Sequence, residues 1–325
     1  MRYGIIGVSG HYHQALDAAR EGLCEFPAAV ARGSAGEDAR PLAEKLGVPY
    51  YDSWRRMIAD ERLDVAVANP WFCDNASVSA ECLAAGLDVY SEKPLATEPG
   101  DLQNLKDVWA RSGRNLGCML NLNCCSWFRA VEEAIRAGEI GEVRLIHGQK
   151  SYRMGVRGAL YQNRRDYGGI LPWVGMHAID WVLKLGGECK SVSASQTTRC
   201  NRGNGELETS AAALFTLENG VIATVTTDFL RPTGSARHDD DRLRVTGTRG
   251  MIEAVDGRVY LENENSKREL PLPPAINPFA RFLRTRNTPE GRQLALEAFE
   301  DSRICLLARR AADEGRALSA ESRGQ

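Results

Sequence analysis

Two domains of different class are predicted, a parallel α/β domain over residues 1–120 and an α+β domain with a mostly antiparallel sheet over residues 121–325. Three observations predict them. The length of 325 residues exceeds the usual size of one domain. The first third alternates short β-branched runs with helical patterns, the rhythm of βαβ units. Beyond residue 120 that alternation stops, and period-two runs flank turn dipeptides instead.

In the first domain the strand-like runs are 3–7, 28–31, 65–68 and 87–91. Between them, 39–46 and 76–85 have lengths suited to crossover helices, with Gly47 and Gly86 as terminating residues. Thr97 and Pro99 then start a helix that places Leu102, Leu105, Val108 and Trp109 on one face. In the second domain a helix at 129–137 leads through Gly138 and Gly141 into strands. Ala213, Phe215 and Leu217, the Asn219-Gly220 dipeptide, and Val221, Ala223, Val225, Thr227 and Phe229 describe a hairpin. Asp256-Gly257 marks a second one. The four prolines of 270–278 read as an extended crossing, and 293–312 as a closing helix with Leu294, Leu296, Phe299, Ile304, Leu307 and Ala308 inward.

Composition narrows the function. With 43% apolar and 26% charged residues the chain is ordinary globular protein. Its 41 basic and 43 acidic residues leave a net charge of −2, without a polybasic block, so the partner expected is a small molecule and not nucleic acid. No apolar run approaches the ~18 residues that span a bilayer, and the N-terminus lacks the apolar core of a signal peptide, so the expected location is the cytoplasm. Nine cysteines without a CxxC pair read as reduced thiols, mostly buried.

The opening Gly4-Ile5-Ile6-Gly7-Val8-Ser9-Gly10 follows a strand and precedes a helix. In that context glycine lets the backbone approach a pyrophosphate, and free N–H groups at the helix start bind it. Counted from Gly7, however, Ser9 and Tyr12 stand at the second and third glycine positions, so the stretch reads equally as an ordinary strand-to-helix turn. His11 and His13 follow without further residues at metal-ligand spacing, so no metal is expected, and they read as polar residues near a cofactor. A dinucleotide site normally presents an acid at the end of the second strand, about 20 residues beyond the glycines. Here Arg32-Gly33-Ser34 stand there. Arg32 could take a 2′-phosphate in its fork with Ser34 as a further donor, which favours NADP over NAD, unless Arg32 is simply a solvated loop residue.

With Glu92-Lys93-Pro94 after the fourth run, the sequence resembles the Gfo/Idh/MocA family of oxidoreductases. Further matches are Gly4-Ile5-Ile6-Gly7, Asn69-Pro70, Gly138-Glu139-Ile140-Gly141-Glu142-Val143, and Gly168-Gly169 leading to Gly175-Met176-His177-Ala178-Ile179-Asp180. The resemblance implies a Rossmann domain followed by an open-faced, mostly antiparallel sheet that often forms the oligomer interface, hence a homodimer or homotetramer. It implies hydride transfer between NAD(P) and a secondary alcohol or ketone of a sugar, cyclitol or related polyhydroxy compound. Gly7, Ser9, Gly10, His11, Arg32, Ser34, Asn69, Pro70, Glu92 and Lys93 would border the cofactor. Lys93 would lie near the reacting hydroxyl, where a cation at the carboxyl end of a parallel sheet stabilises a developing alkoxide. His177 would be the general acid/base, with Asp180 on the same helical face.

One position departs from the family. Many catalytically active members carry aspartate four residues before this histidine, and here it is Trp173. Either Asp180 or Asp166 supplies the carboxylate, or Lys93 carries more of the proton transfer, or dehydrogenation is not the reaction. Trp173 reads as an apolar wall against a sugar ring or as core. Tyr161, Arg164 and Asp166 would border the substrate, in a segment whose arginines and tyrosines could grip a carboxylate or polyol, or form a solvated basic loop. The cluster His238-Asp239-Asp240-Asp241 reads as an exposed loop. Two rivals follow from the same resemblance, a cofactor-assisted glycoside hydrolase or lyase and a non-catalytic ligand sensor.

Overall fold

The computed structural model describes residues 1–120 and 122–321, in two compact units. The first takes in residues 1–120 with the segments Asn163–Gly168 and Asn277–Arg303; the second takes in the chain between these and that from Ile304 on. A contiguous division at residue 120 therefore leaves out two later segments that pack with the first unit.

In chain order the first unit begins β1 (Tyr3–Ile6), α1 (His13–Arg20), β2 (Ala29–Ala31), α2 (Arg40–Leu46), β3 (Tyr50–Tyr51), α3 (Trp54–Glu61), β4 (Val65–Ala68), α4 (Asn75–Ala84), β5 (Asp88–Ser91), α5 (Pro99–Ser112) and β6 (Leu116–Cys118). Every strand pair is parallel, in the order β3-β2-β1-β4-β5-β6. β1 and β4 are buried along their whole length, as strands covered by helices on both faces require. The order reverses between β1 and β4, and in such sheets a ligand crevice opens beyond the carboxyl ends at that point. Gly7 and Asn69 are the residues that follow those two ends.

Sequence patterning found four of the six strands. Tyr50–Tyr51 is too short to show a period, and the short strand Leu116–Cys118 went unread for the same reason. Glu92-Lys93-Pro94 accordingly follows the fifth strand. The N-cap position of α5 is held by Glu98 in extended conformation, without a side-chain cap hydrogen bond, and not by Thr97, which is buried.

The remaining elements are α6 (Ser126–Arg136), β7 (Val143–Arg153), α7 (Arg164–Tyr167), α8 (Met176–Gly186), β8 (Cys189–Thr197), β9 (Ser210–Leu217), β10 (Ile222–Arg231), β11 (Asp239–Gly247), β12 (Gly250–Val255), β13 (Arg258–Asn263), β14 (Ser266–Glu269), α9 (Pro278–Thr285), α10 (Pro289–Glu314) and β15 (Leu318–Ser319). The second sheet runs β14-β13-β12-β11-β7-β10-β9-β8-β15, antiparallel except between β7 and β10. Strict alternation of burial in β9 and β10 shows one face covered and one open. Both predicted hairpins form. Asp256 and Gly257 both take positive φ, as a two-residue hairpin turn demands. At Asn219-Gly220 the loop is one residue longer: Leu217 and Val221 close it, and Gly220 alone takes positive φ.

Three readings hold in part. Only His238 of the His238 to Asp241 cluster lies in an exposed loop, because Asp239–Gly247 is a strand between β7 and β12. The proline-rich crossing ends in a helix, α9, which Asn277 caps by accepting the Ala280 N–H at 3.0 Å. α10 buries Phe299, Ile304 and Ala308 as predicted, together with Ala295, Ala298, Ser302, Cys305 and Leu306, while Leu294 and Leu307 are half-buried and Leu296 is 37% exposed. All nine cysteines are thiols, but only Cys82, Cys124, Cys189 and Cys305 are buried. Among the described residues no helix is long and apolar enough to cross a membrane.

α9 completes the first unit's core. The Phe279 ring lies 5.3 Å from Tyr3 and 5.2 Å from Tyr90, with Phe282 5.2 Å from Tyr90. Phe279→Ala should cost about 3–5 kcal/mol by denaturant titration, the range for deleting a buried ring. A loss below about 1 kcal/mol would show that α9 is dispensable to that core.

Candidate active site

The turn after β1 is built for close approach. Gly7 has φ +75°, and a Cβ there would overlap the Asn69 carbonyl. Its N–H donates to Ala31 O at 2.9 Å, and Ser9 N–H donates to Asn69 O at 2.9 Å. Gly10 is equally constrained, since a Cβ would overlap the Glu92 carboxylate. That carboxylate is fully buried and accepts from the His11 N–H at 2.6 Å and lies 2.9 Å from His11 Nδ1. Burial alone would push the Glu92 carboxyl up, but His11 and the adjacent Lys93 outweigh it and hold it below the ordinary range. His11 is thus first a partner of Glu92. Burial and neighbouring His11 hold the His13 imidazole low.

The loop after β2 holds an acid that strand-end reasoning missed. Glu37, six residues beyond Ala31, accepts from the Val8 N–H at 3.2 Å, the Ser9 hydroxyl and the Ser34 N–H at 2.8 Å. Its burial pushes the carboxyl up, against those hydrogen bonds. Ser34 is committed elsewhere: its hydroxyl donates to Asp74 and accepts from the Trp71 N–H at 2.9 Å. Arg32 is half-buried. Pro70 backs Gly33 closely enough that a Cβ on Gly33 would press on it at 2.9 Å. Asn69 is fully buried, and neither atom of its amide has a partner. A glycine turn with no room for Cβ beside an unsatisfied amide fits a dinucleotide at the sheet's reversal point.

Lys93 is 1% exposed at the carboxyl end of β5. Asn75 Nδ2 donates to Glu92 O at 3.1 Å and Pro94 O at 2.8 Å, which holds the turn on either side of it. Arg164 and Asp166 lie in this unit also, on α7, with Asp166 Oδ1 3.9 Å from Cys73 Sγ. Burial, then Asp74 and Asp166, push the Cys73 thiol up to about 12. A cleft of 480 Å³ is lined by Ser34, Trp71, Asp74, Glu98, Arg165 and Asp166.

The other predicted residues lie in the second unit. A π-helical turn, Leu171–Gly175, enters α8, which carries His177 and Asp180, both buried; Asp180 Oδ1 is 3.6 Å from Lys184 Nζ. Trp173, 8% exposed, joins an aromatic group, its ring 4.6 Å from Tyr161 and 5.5 Å from Phe229. On the same sheet face, Lys150 Nζ pairs with Asp241 at 2.5 Å, and burial ahead of that pairing pushes the Asp241 carboxyl up. The predicted substrate group thus splits: Tyr161, Trp173, His177 and Asp180 share one unit, Arg164 and Asp166 the other. Among the described residues no three His, Cys, Asp or Glu side chains are placed to hold a metal.

Residues 1–119 match the family described as "Oxidoreductase family, NAD-binding Rossmann fold", and 128–253 match the GFO/IDH/MocA C-terminal domain. The chain belongs to the Gfo/Idh/MocA oxidoreductase family. A Thermotoga maritima protein assigned as an oxidoreductase shares 35% identity over 98% of this chain and 100% of its own, with a TM-score of 0.91. The aldose-aldose oxidoreductase of Caulobacter crescentus shares the family fold, at 20% identity and TM-score 0.80 over 98% of this chain and 99% of its own. Inositol 2-dehydrogenase of Serratia proteamaculans is 26% identical over 106 residues, 32% of this chain and 31% of its own. An uncharacterised Rhizobium meliloti oxidoreductase is 30% identical over 46% of this chain and 45% of its own, so the matched region spans less than half of either of these two relatives.

In this family member the Glu92 interaction is open to test by acid. A carboxyl held below its ordinary value of 4.5 contributes stability that is full above that value and is lost as pH falls through the depressed one. Denaturant midpoints measured from neutral pH down to about pH 3 should therefore fall less steeply in Glu92→Gln than in the unmodified protein. Parallel curves would show that Glu92 is not held as described.

Proposed function

We propose that the protein transfers a hydride between a nicotinamide cofactor and a secondary alcohol or ketone of a sugar, cyclitol or related polyhydroxy compound. The observation that carries this reading is the set at the carboxyl ends of β1, β4 and β5: the Gly7 turn, the unsatisfied Asn69 amide and the buried Lys93. A bound nicotinamide would supply the hydride acceptor. Lys93 would favour loss of the hydroxyl proton by stabilising the developing alkoxide. His177 is assigned the proton as general acid/base, with Trp173 where relatives of the family place a carboxylate. The open sheet face, with exposed Leu214, Ile222 and Leu230, supports self-association there. Lys93→Met should lower kcat at least ~100-fold while cofactor affinity stays within about twofold. Full turnover in that variant removes Lys93 from the chemistry. Net NADH release would separate this reading from a hydrolase or lyase that returns its hydride.

For the cofactor, Arg32 with Ser34 pointed to NADP. Ser34 is held by Asp74, and Glu37 and Asp74 bring two carboxylates to this loop, where they would repel a 2′-phosphate and where Glu37 could accept from ribose hydroxyls. We therefore assign NAD as the preferred cofactor. Calorimetry should show NAD binding more tightly than NADP, and Glu37→Gln should narrow the difference. Tighter NADP binding that Arg32→Ala abolishes would restore the first choice.

A further inference from the structure

Arg157 is a cation with no counter-ion among the described residues. Its guanidinium carbon lies 4.5 Å from the centroid of the Phe229 ring, 5.3 Å from Tyr161 and 5.4 Å from Trp173. Nη2 donates to Arg153 O at 3.1 Å, and Nε is buried without a partner. Burial lowers its pKa, and only tyrosines oppose that shift. The acids of β11 are engaged by other cations, Asp239 by Arg237, Asp240 by Arg231 and Arg242, and Asp241 by Lys150, while Asp228 on β10 accepts from the Ser151 hydroxyl and the Leu230 N–H. No carboxylate among the described residues pairs with Arg157. The local charge is positive enough that Arg157 and Arg153, after burial, hold the nearby His238 imidazole below its ordinary value. Ring contacts offset only part of the cost of desolvating a guanidinium, so an anion is what the site lacks. Tyr161 and Trp173 present ring surface beside it, the kind of surface that packs against the C–H face of a sugar.

We propose that Arg157 binds a carboxylate on the substrate, so that the protein acts on a sugar acid or other polyhydroxy acid and not on a neutral polyol. A guanidinium fork matches a carboxylate in two parallel hydrogen bonds, whereas a neutral hydroxyl leaves the charge uncompensated. This rests on the proposed function, with Tyr161 and Trp173 bordering the substrate. Arg157 is a specificity residue here, with no part in the hydride step.

The test uses the full chain with NAD present, and calorimetry with matched pairs: D-glucuronate and D-galacturonate, D-gluconate and D-galactonate, against D-glucose and D-galactose, with glucose 6-phosphate as the phosphate probe. Acids should bind at least about 10-fold more tightly than their parent sugars. Arg157→Gln should bring that ratio to about one while NAD affinity is unchanged, and Arg157→Lys should fall between, because charge survives without the fork. Neutral sugars binding as well as acids, no acid binding at all, a preference that survives Arg157→Gln, or a stronger preference for the phosphate would each overturn the carboxylate assignment. NADH formation read in the same samples separates the two proposals. Reduction of NAD by neutral sugars alone sinks the carboxylate and leaves the dehydrogenase. Arg157-dependent acid binding, with no hydride transfer from any compound, does the reverse.

Discussion

The buried carboxylate of Glu92 is the constraint on which the first unit's ligand crevice depends. It comes from the end of β5 and ties itself to His11, across the sheet, just ahead of α1. An ionised carboxylate in a dry interior would be costly alone, and the imidazole, the N–H and the neighbouring ammonium compensate it. Gly10 cannot be anything else, because the carboxylate fills the space of its Cβ. Lys93 follows directly, so the same contact that closes the glycine turn sets the position of the cation proposed for the chemistry.

Around that contact the polar groups of the turn are already organised. Val8 and Ser9 are held by Glu37, Ser34 by Asp74, and Gly7 by Ala31. Preorganisation of this kind keeps the loop rigid and leaves specific atoms to a ligand, with the Asn69 amide the clearest. The second unit is arranged on a different principle. Its covered sheet face gathers aromatic rings around one guanidinium, where apolar surface and uncompensated charge act together. Trp173 has its place there, which gives a physical reason for an aromatic residue in a position where a carboxylate is common: an acid beside Arg157 would neutralise it.

Much of this was legible in residue order. Strands with β-branched or alternating apolar residues, such as Val65–Ala68 and Ile222–Arg231, announce themselves because burial acts on neighbours one or two positions apart. Asp256-Gly257 is readable because only certain residues tolerate positive φ. Tyr50–Tyr51 was invisible, since two residues carry no period, and on α10 the apolar Phe299 and Ile304 were readable as inward while the small buried Ala295, Ala298 and Ser302 were not.

The sequence by itself determined the class of both sheets and the family, and it singled out Lys93 and His177 as the residues proposed for the chemistry, because these follow from local pattern and from short motifs in a set order. Tertiary structure decided which groups are free to act. Ser34 and His11 look available in sequence and are held by Asp74 and Glu92, residues 40 and 81 positions away. Glu37 lies beyond the strand end where an acid was sought, and folds back on the glycine turn. Arg157 looks like one of several loop arginines and is the one set among three aromatic rings with its Nε buried and unpartnered. Hydrogen bonds and ion pairs act over about 3–4 Å of space regardless of separation along the chain, so no reading of residue order contains them.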